Sequence, residues 1–403
     1  MTLKVHKDPW KIRPILCFAG TFMNDWSKWL DYQLQKCKPF VSTFLRDGQQ
    51  VLDEISGLRL PPNARIATAD ANSMYNYINT DHACIVIKSW LWDMTVLLGD
   101  DFPVEAIIKA MNIIMRNNIF EWGSLRFLQL LGTAMGTSAA VMWATLYYGY
   151  HEEHHLIPTY GQHLLYFRRY IDDIILIWLS ENAADWEAFK NDLGFGILTW
   201  AASELSSSVD FLDMTISIVD DRIETRTYQK AMNLYLYLPP SSAHTRGVIK
   251  GMIYGLMSRY KSQNTHRKDY IFFTTLLFRR LLARRWQRDE IYPIFVDAAE
   301  RLEQPRPQPP SRDETSNADE MQGTLFFHLQ YHPHDVSRRE IRSLFEKHCG
   351  DLFRECLDVD RLVIAYSRLH NIGEYCTQAK LHEAPGKTSA DIMGEYRDGL
   401  APP

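Results

Sequence analysis

The sequence has no surplus of positive charge: 44 Lys and Arg stand against 49 Asp and Glu, a net charge of −5. That excludes a molecule coated all over for nucleic acid. It has no C-x-x-C, and its six cysteines, at 17, 37, 84, 349, 356 and 376, are scattered. Scattered thiols argue against a disulfide scaffold and for a reducing compartment inside a cell. Cys349, Cys356, His370 and Cys376 invite a zinc reading, but their spacing matches no common pattern. There is no signal peptide and no 18-residue apolar run, so no membrane span is expected. What remains is ordinary: 46% hydrophobic and 23% charged over 403 residues, enough for two or three domains.

The charge that is present is unevenly spread. Arg246 to Arg288 holds eleven Lys and Arg against one acid, Asp269, a local balance of +10 that leaves about −15 elsewhere. Arg280, Arg284 and Arg288 fall at i, i+4 and i+8 of an expected helix, beside an apolar stripe of Phe273, Leu277 and Leu281. Such a face suits a phosphate backbone, the alternative being a solvated helix surface. At the other end, Leu3-Lys4-Val5-His6-Lys7 and Lys11-Ile12-Arg13-Pro14-Ile15 alternate cations with apolar residues. That is a strand pattern, suited to a polyphosphate or to a lysine-guarded edge.

Chemistry gathers in the middle of the chain. Apolar, β-prone runs over His163–Tyr170 and Ile174–Trp178 flank Ile171-Asp172-Asp173. They predict a hairpin with the two carboxylates at its turn. Arg65 to Asp70 reads as a strand ending in an acid, with Tyr75 five residues on. Helices are expected over Thr80–Leu98, with Ile85, Trp90 and Leu91 inward, and over Asp101–Asn117. Gln129 to Ser138, with Gly132 and Gly136, reads as a loop entering a small-residue helix from Ala139. A short helix is expected over 183–193, and Val209–Ile218 alternates like one strand returning after Asp220-Asp221. His151-Glu152-Glu153-His154-His155 matches the H-E-x-x-H of zinc hydrolases, although Pro158 ends the helix and His163 is the one further ligand nearby. Three carboxylates from Asp70, Asp172 and Asp173, meeting at strand ends, would make a hard oxygen site for two Mg²⁺ and phosphoryl transfer.

Taken together these segments resemble a reverse transcriptase, most closely that of Penelope-like retroelements. The likeness runs from Lys4 to about Leu381. It is carried by Lys4-Val5-His6-Lys7 with Arg13-Pro14-Ile15, by Asp70 to Tyr75, and by Gln129-x-x-Gly132-Thr133-Ala134-Met135-Gly136. Tyr170-Ile171-Asp172-Asp173 and Val209-Asp210-Phe211-Leu212-Asp213 continue it. Asn233 to Tyr237, Ser241 to His244, Phe278 to Leu282 and Arg368 to Asn371 carry the subfamily character.

The resemblance implies an α+β right-hand polymerase with partial fingers (1–60), a ferredoxin-like palm (61–230) and a basic helical thumb (231–302). A linker (303–320), a helical extension (321–383) and a loose tail (384–403) would follow. It implies RNA-directed DNA synthesis from dNTPs on an RNA template and DNA primer, with two Mg²⁺ or Mn²⁺. Asp70, Asp172 and Asp173 would be catalytic and would hold metal with the Ala71 carbonyl. Lys4, Arg13, Tyr75, Gln129, Gly132 and Gly136 would bind the nucleotide, with Tyr75 as a steric gate against a 2′-hydroxyl. Phe211 and Leu212 would seat the primer, and Arg280, Arg284 and Arg288 would grip the duplex. The chain departs from the family in its short fingers, in Ala71 where Val or Ile is usual, in Thr245-Arg246, and in having no GIY-YIG nuclease after residue 383. A catalytically weak nucleic-acid-binding remnant is the alternative those departures suggest. A nuclear site follows from the life cycle of such elements.

Overall fold

The computed structural model describes residues 2–4, 11–13, 21–99, 101–122, 125–242, 244–304, 323–331, 336–359 and 361–367. They form two compact units. The first runs to Asn233 and includes Ser262–His266; the second takes Leu234–Lys261 and the described residues from Arg267 onwards.

The first unit opens on an antiparallel hairpin, β1 (Thr2–Lys4) and β2 (Lys11–Arg13), with Lys4 opposite Lys11 and Thr2 opposite Arg13. Helices α1 (Phe22–Gln35) and α2 (Gly48–Ile55) follow. Asp47 caps α2 by accepting the Gln50 N–H at 2.9 Å. Strand β3 (Arg65–Ala71) passes through one helical turn, α3 (Met74–Tyr77), into α4 (Thr80–Leu98). Asn79 caps α4 by accepting from the N–H groups of Asp81 and His82. The inward face of α4 is Cys84, Ile87, Trp90, Leu91 and Met94, whereas Ile85 is 68% exposed. Two residues before Ile87 is more than half a turn round the helix, so the expectation for Ile85 is corrected.

Pro103 delays α5 (Val104–Arg116), which therefore begins later than the predicted Asp101. The hairpin β4 (Ile119–Trp122) and β5 (Leu125–Leu128) leads to α6 (Ala140–His151). A π-helical turn at Glu152–Leu156 carries α6 on into α7 (Ile157–Tyr160). Then come β6 (Leu164–Tyr170), β7 (Asp173–Trp178), α8 (Ala183–Asp192) and β8 (Trp200–Ala202). Strands β6, β7, β3 and β8, in that spatial order, make one antiparallel sheet.

Period-two alternation explains the layers on this sheet. Ala67, Ala69, Ile174, Leu176 and Trp178 face a core shared with α1, α4, α5 and α6. Ile66, Ile175, Ile177 and Tyr166 face a second core shared with α2 and the next three strands. These are β9 (Ser208–Phe211), β10 (Met214–Val219) and β11 (Arg222–Thr227), ordered β11-β10-β9. The single strand expected over Val209–Ile218 is thus two, broken at Leu212-Asp213. The alternation changes phase across that turn, from Val209 and Phe211 to Met214 and Ile216, and Leu212 adopts φ +54° with no glycine to mark it.

The second unit contains α9 (Arg246–Gln263, up to Lys261), α10 (Arg267–Ala283) and α11 (Arg288–Glu303) around Ile253, Met257, Phe273, Leu277, Leu281 and Ile291. In the same unit β12 (Thr324–Gln330) and β13 (Arg361–Ser367) pair in parallel, with α12 (Arg338–His348) and α13 (Gly350–Leu357) between them in sequence. The helical extension expected over 321–383 is therefore, where described, a β-α-α-β segment. Most of the expected linker, the tail, Arg368–Asn371 and Cys376 lie outside the described residues. Among the described residues no helix is long and apolar enough to cross a membrane.

The corner between α9 and α10 belongs to the first unit. There Asn264 Oδ1 accepts the Thr227 N–H at 2.9 Å, Thr265 Oγ1 accepts the Thr225 N–H at 2.8 Å, and Gln263 Nε2 donates to Asp213. The first two bonds occupy the outer side of β11, and the third reaches the turn between β9 and β10.

Candidate active site

Asp70 on β3 and Asp173 on β7 are direct cross-strand partners on the same face of the sheet. Facing residues in an antiparallel pair have Cβ atoms about 5 Å apart. Asp173 is the first residue of β7, and Ile171 and Asp172 make the two-residue turn, with Tyr170 opposite Asp173. This corrects the expected Asp172-Asp173 turn by one residue. The Asp172 carbonyl accepts the Ala71 N–H at 2.9 Å, which brings Ala71 beside the turn. Asp70, Ala71, Asp172 and Asp173, predicted from segments a hundred residues apart, are therefore together.

Their electrostatics are unbalanced. Like charges directly opposite each other on a sheet are destabilising. Burial pushes the Asp173 carboxyl up to about 6, and the charges of Asp172 and Asp70 push the same way, against Lys230. Lys230 was missed in the sequence; its only signal is a cation three residues past a strand. Among the described residues no group of three His, Cys, Asp or Glu side chains is arranged to hold a metal ion by itself. Mg²⁺ is ordinarily held by one or two carboxylates completed by substrate phosphates, not by an all-protein cage. Facing carboxylates with a carbonyl beside them fit that donor set.

The glycine loop meets Tyr75. Gly132 has φ +84°, and a Cβ there would stand 2.5 Å from the Tyr75 carbonyl oxygen and 2.8 Å from Asn76 Cα. Thr133 N–H donates to that same carbonyl. Tyr75 is half-buried on α3, following Ser73 at φ +56°. The Gln129 amide donates to Leu131, while its Oε1 is buried without a partner. Gly136 is exposed at φ +130°. Lys4 and Arg13 are described only as strand residues of β1 and β2.

Three expectations are corrected by burial and geometry. Phe211 is 3% exposed and belongs to the second core, so its ring is a packing group; Leu212 sits at the hairpin tip. Arg280, Arg284 and Arg288 do not share one helical face, because α10 ends at Ala283 and Arg285 is left-handed. Arg280 stacks on Tyr235 at 3.8 Å and Arg284 Nε donates to the Tyr237 carbonyl at 2.8 Å, so the two hold the Tyr235–Tyr237 stretch against the C-terminal end of α10. Arg288 begins α11 and lies over Tyr292. The H-E-x-x-H residues are not arranged as metal ligands either: the His151 and His155 rings stack at 5.1 Å and turn their nitrogens to Asp192. His151 Nε2 contacts the Asp192 carbonyl at 2.7 Å, His155 contacts the Asp192 carboxylate at 3.1 Å, and Glu152 pairs with Arg169.

No family model and no curated protein matches the chain. Among solved structures it is similar to telomerase from Candida albicans in complex with a telomeric RNA fragment, at TM-score 0.47 and 10% identity over 69% of this chain and 49% of that one. It is similar to apo telomerase from Candida tropicalis at 0.42 and 10%, over 71% and 55%. To the BmCPV RNA-dependent RNA polymerase at elongation state the figures are 0.39 and 12%, over 58% and 22%. The chain spans about half the length of the telomerase chains it matches. All three neighbours are nucleic-acid polymerases, at scores too low to carry an argument. The chemistry rests on the carboxylates.

Proposed function

We propose that this chain is the polymerase core of an RNA-directed DNA polymerase. The observation that carries it is the placement of Asp70 and Asp173 directly opposite each other on β3 and β7, with Asp172 in the turn between β6 and β7. Acids are put face to face at a sheet end where a cation is to be held between them. The sheet around them supports a palm: counted along the chain its strands lie in the order 4-1-3-2, with helices after the first and third. That is the β-α-β-β-α-β arrangement.

Asp70, Asp172 and Asp173, with the Ala71 carbonyl, would hold two Mg²⁺ together with the phosphates of an incoming dNTP. Bound there, the ions supply charge neutralisation for the transferring phosphate and make the primer 3′-hydroxyl a better nucleophile. The chain's own residues do the positioning. Tyr75, backed by Gly132, takes the space of a ribose 2′-hydroxyl. Lys230 adds positive charge beside Asp173. The retroelement origin, integration of the DNA product and a nuclear site rest on the sequence resemblance.

The test is extension of oligo(dT) on poly(rA) with Mg²⁺, and then with Mn²⁺, for wild type and Asp172→Ala. Extension by the wild type that drops at least about 100-fold in the variant is the expected result. A hybrid that is bound but extended by neither protein would sink the proposal and leave a nucleic-acid-binding remnant.

A further inference from the structure

Nucleotidyl transfer as derived above gives no role to Glu152 or Arg169, yet these are the most completely buried charges described. Glu152 is 0% exposed and Arg169 1%. Arg169 Nε donates to Glu152 Oε1 at 2.7 Å and Nη2 to Oε2 at 2.8 Å, a two-pronged pair. Thr43 Oγ1 donates to the same carboxylate at 2.6 Å. Nη2 also donates to the Thr145 carbonyl at 3.0 Å, and the guanidinium lies over the Tyr148 ring. The backbone is pinned as well: Arg169 N–H donates to the Thr43 carbonyl at 2.8 Å and Leu45 N–H to the Arg169 carbonyl at 3.0 Å.

One prong of the guanidinium is left over, and it is aimed at the carboxylate turn. Nη1 donates to the Ile171 carbonyl at 3.0 Å. Ile171 has φ +54°, a conformation that a β-branched residue holds only when its surroundings force it. Glu152 itself opens the π-helical turn after α6, an irregularity that swings side chains off the α-helical pattern. Fold stability gives little reason for such a pair, since a buried ion pair is often no better than apolar residues of the same volume.

We propose that Glu152 and Arg169 are positioning residues for the carboxylate turn. Glu152 fixes the guanidinium, the guanidinium fixes the Ile171 carbonyl, and the peptide that follows carries Asp172 into register with Ala71. The inference rests on the polymerase reading for its kinetic consequence, and on the geometry alone for its structural one.

The experiment uses the full chain carrying Glu152→Gln with Arg169→Met, which removes both charges together and leaves neither buried alone. Hydrogen exchange reads the turn directly. The Ala71 amide, bonded to the Asp172 carbonyl, is expected to lose at least about 10-fold of its protection while amides further down β3 keep theirs. Primer extension is expected to lose about 30-fold in kcat with KM for dTTP changed less than about 3-fold. Adding Ile171→Gly, which takes a positive φ without strain, is expected to recover about 5-fold or more of that loss. Unchanged Ala71 protection would overturn the proposal. So would an undiminished kcat, or a loss that Ile171→Gly leaves untouched, which would make the pair a fold-stabilising feature only. If wild type extends no better than Asp172→Ala, the polymerase reading has failed and the exchange at Ala71 still decides the positioning. Should the double variant not fold, Thr43→Val, which removes one bond to Glu152, is read by the same exchange: a partial loss at Ala71 is expected, and none would overturn it.

Discussion

At Gly132 two constraints meet, a left-handed backbone and a carbonyl too close for any Cβ. Gly132→Ala therefore has to move Tyr75 or itself. Extension is expected to fall about 10-fold or more with the fold retained, because small displacements of positioning groups are costly. Gly251, within α9, has nothing within 4 Å of where its Cβ would stand. Gly251→Ala is expected to stabilise by about 0.5–1 kcal/mol, read as a shift in the urea midpoint. Equal effects at both glycines would remove the case for a Tyr75 backstop. Tyr75→Val is expected to narrow the preference for dNTP over rNTP by about 10-fold or more in kcat/KM, chiefly through better rNTP use. The glycine and the tyrosine could be picked out of the sequence, but their contact could not. It is made by a loop and a single helical turn more than fifty residues apart, and neither carries a periodic pattern.

Among elements, the second unit's helices separate two kinds of arginine. Arg280 and Arg284 are tied to Tyr235 and the Tyr237 carbonyl, whereas Lys268 and Arg279 stand outside those ties. Arg284→Ala is expected to lower the stability of this unit by about 1 kcal/mol. Lys268→Glu with Arg279→Glu is expected to leave stability within about 0.5 kcal/mol and to weaken binding of an RNA–DNA hybrid, with a shallower dependence on salt. Urea unfolding and hybrid binding at two salt concentrations separate the cases; the reverse pattern would put the duplex grip back on Arg280 and Arg284. The spacing i, i+4, i+8 was legible, but the end of α10 was not. Arg285 turns left-handed there without glycine or proline to announce it. The strand ends bearing the acids were legible because buried apolar runs bound them on both sides. The break at Leu212-Asp213 was marked only by a change of phase, from odd positions at Val209 and Phe211 to even ones at Met214 and Ile216, with no glycine or proline at the turn.

Over the whole molecule, the H-E-x-x-H stretch turns from a candidate metal site into part of the folding energetics. Burial holds the His151 imidazole below its ordinary range; the Asp192 carbonyl opposes this and His155 adds to it. The unfolded chain then takes up its proton at a higher pH than the folded one. Stability from this group is intact above the ordinary imidazole range and is lost as the pH falls through it. Urea unfolding of the first unit at pH 7.5, 6.5 and 5.5 is expected to show a steeper acid loss for wild type than for His151→Gln. Identical slopes would show that other groups dominate.

The excursion of the chain at Asn233 has a practical consequence for anyone dissecting it. Sequence boundaries invite a cut near residue 233, giving a fragment that holds the carboxylates without the helices that follow. Such a fragment would discard Asn264 and Thr265, which occupy the outer side of β11, and Gln263, which reaches the turn between β9 and β10. It would be born with a bare strand margin, and bare margins recruit neighbours. A truncation after residue 233 is expected to come out as soluble aggregates on size exclusion, whereas one that keeps residues through the α9–α10 corner stays monodisperse. For this protein, the shortest piece that keeps the carboxylates well housed is longer than the piece that contains them.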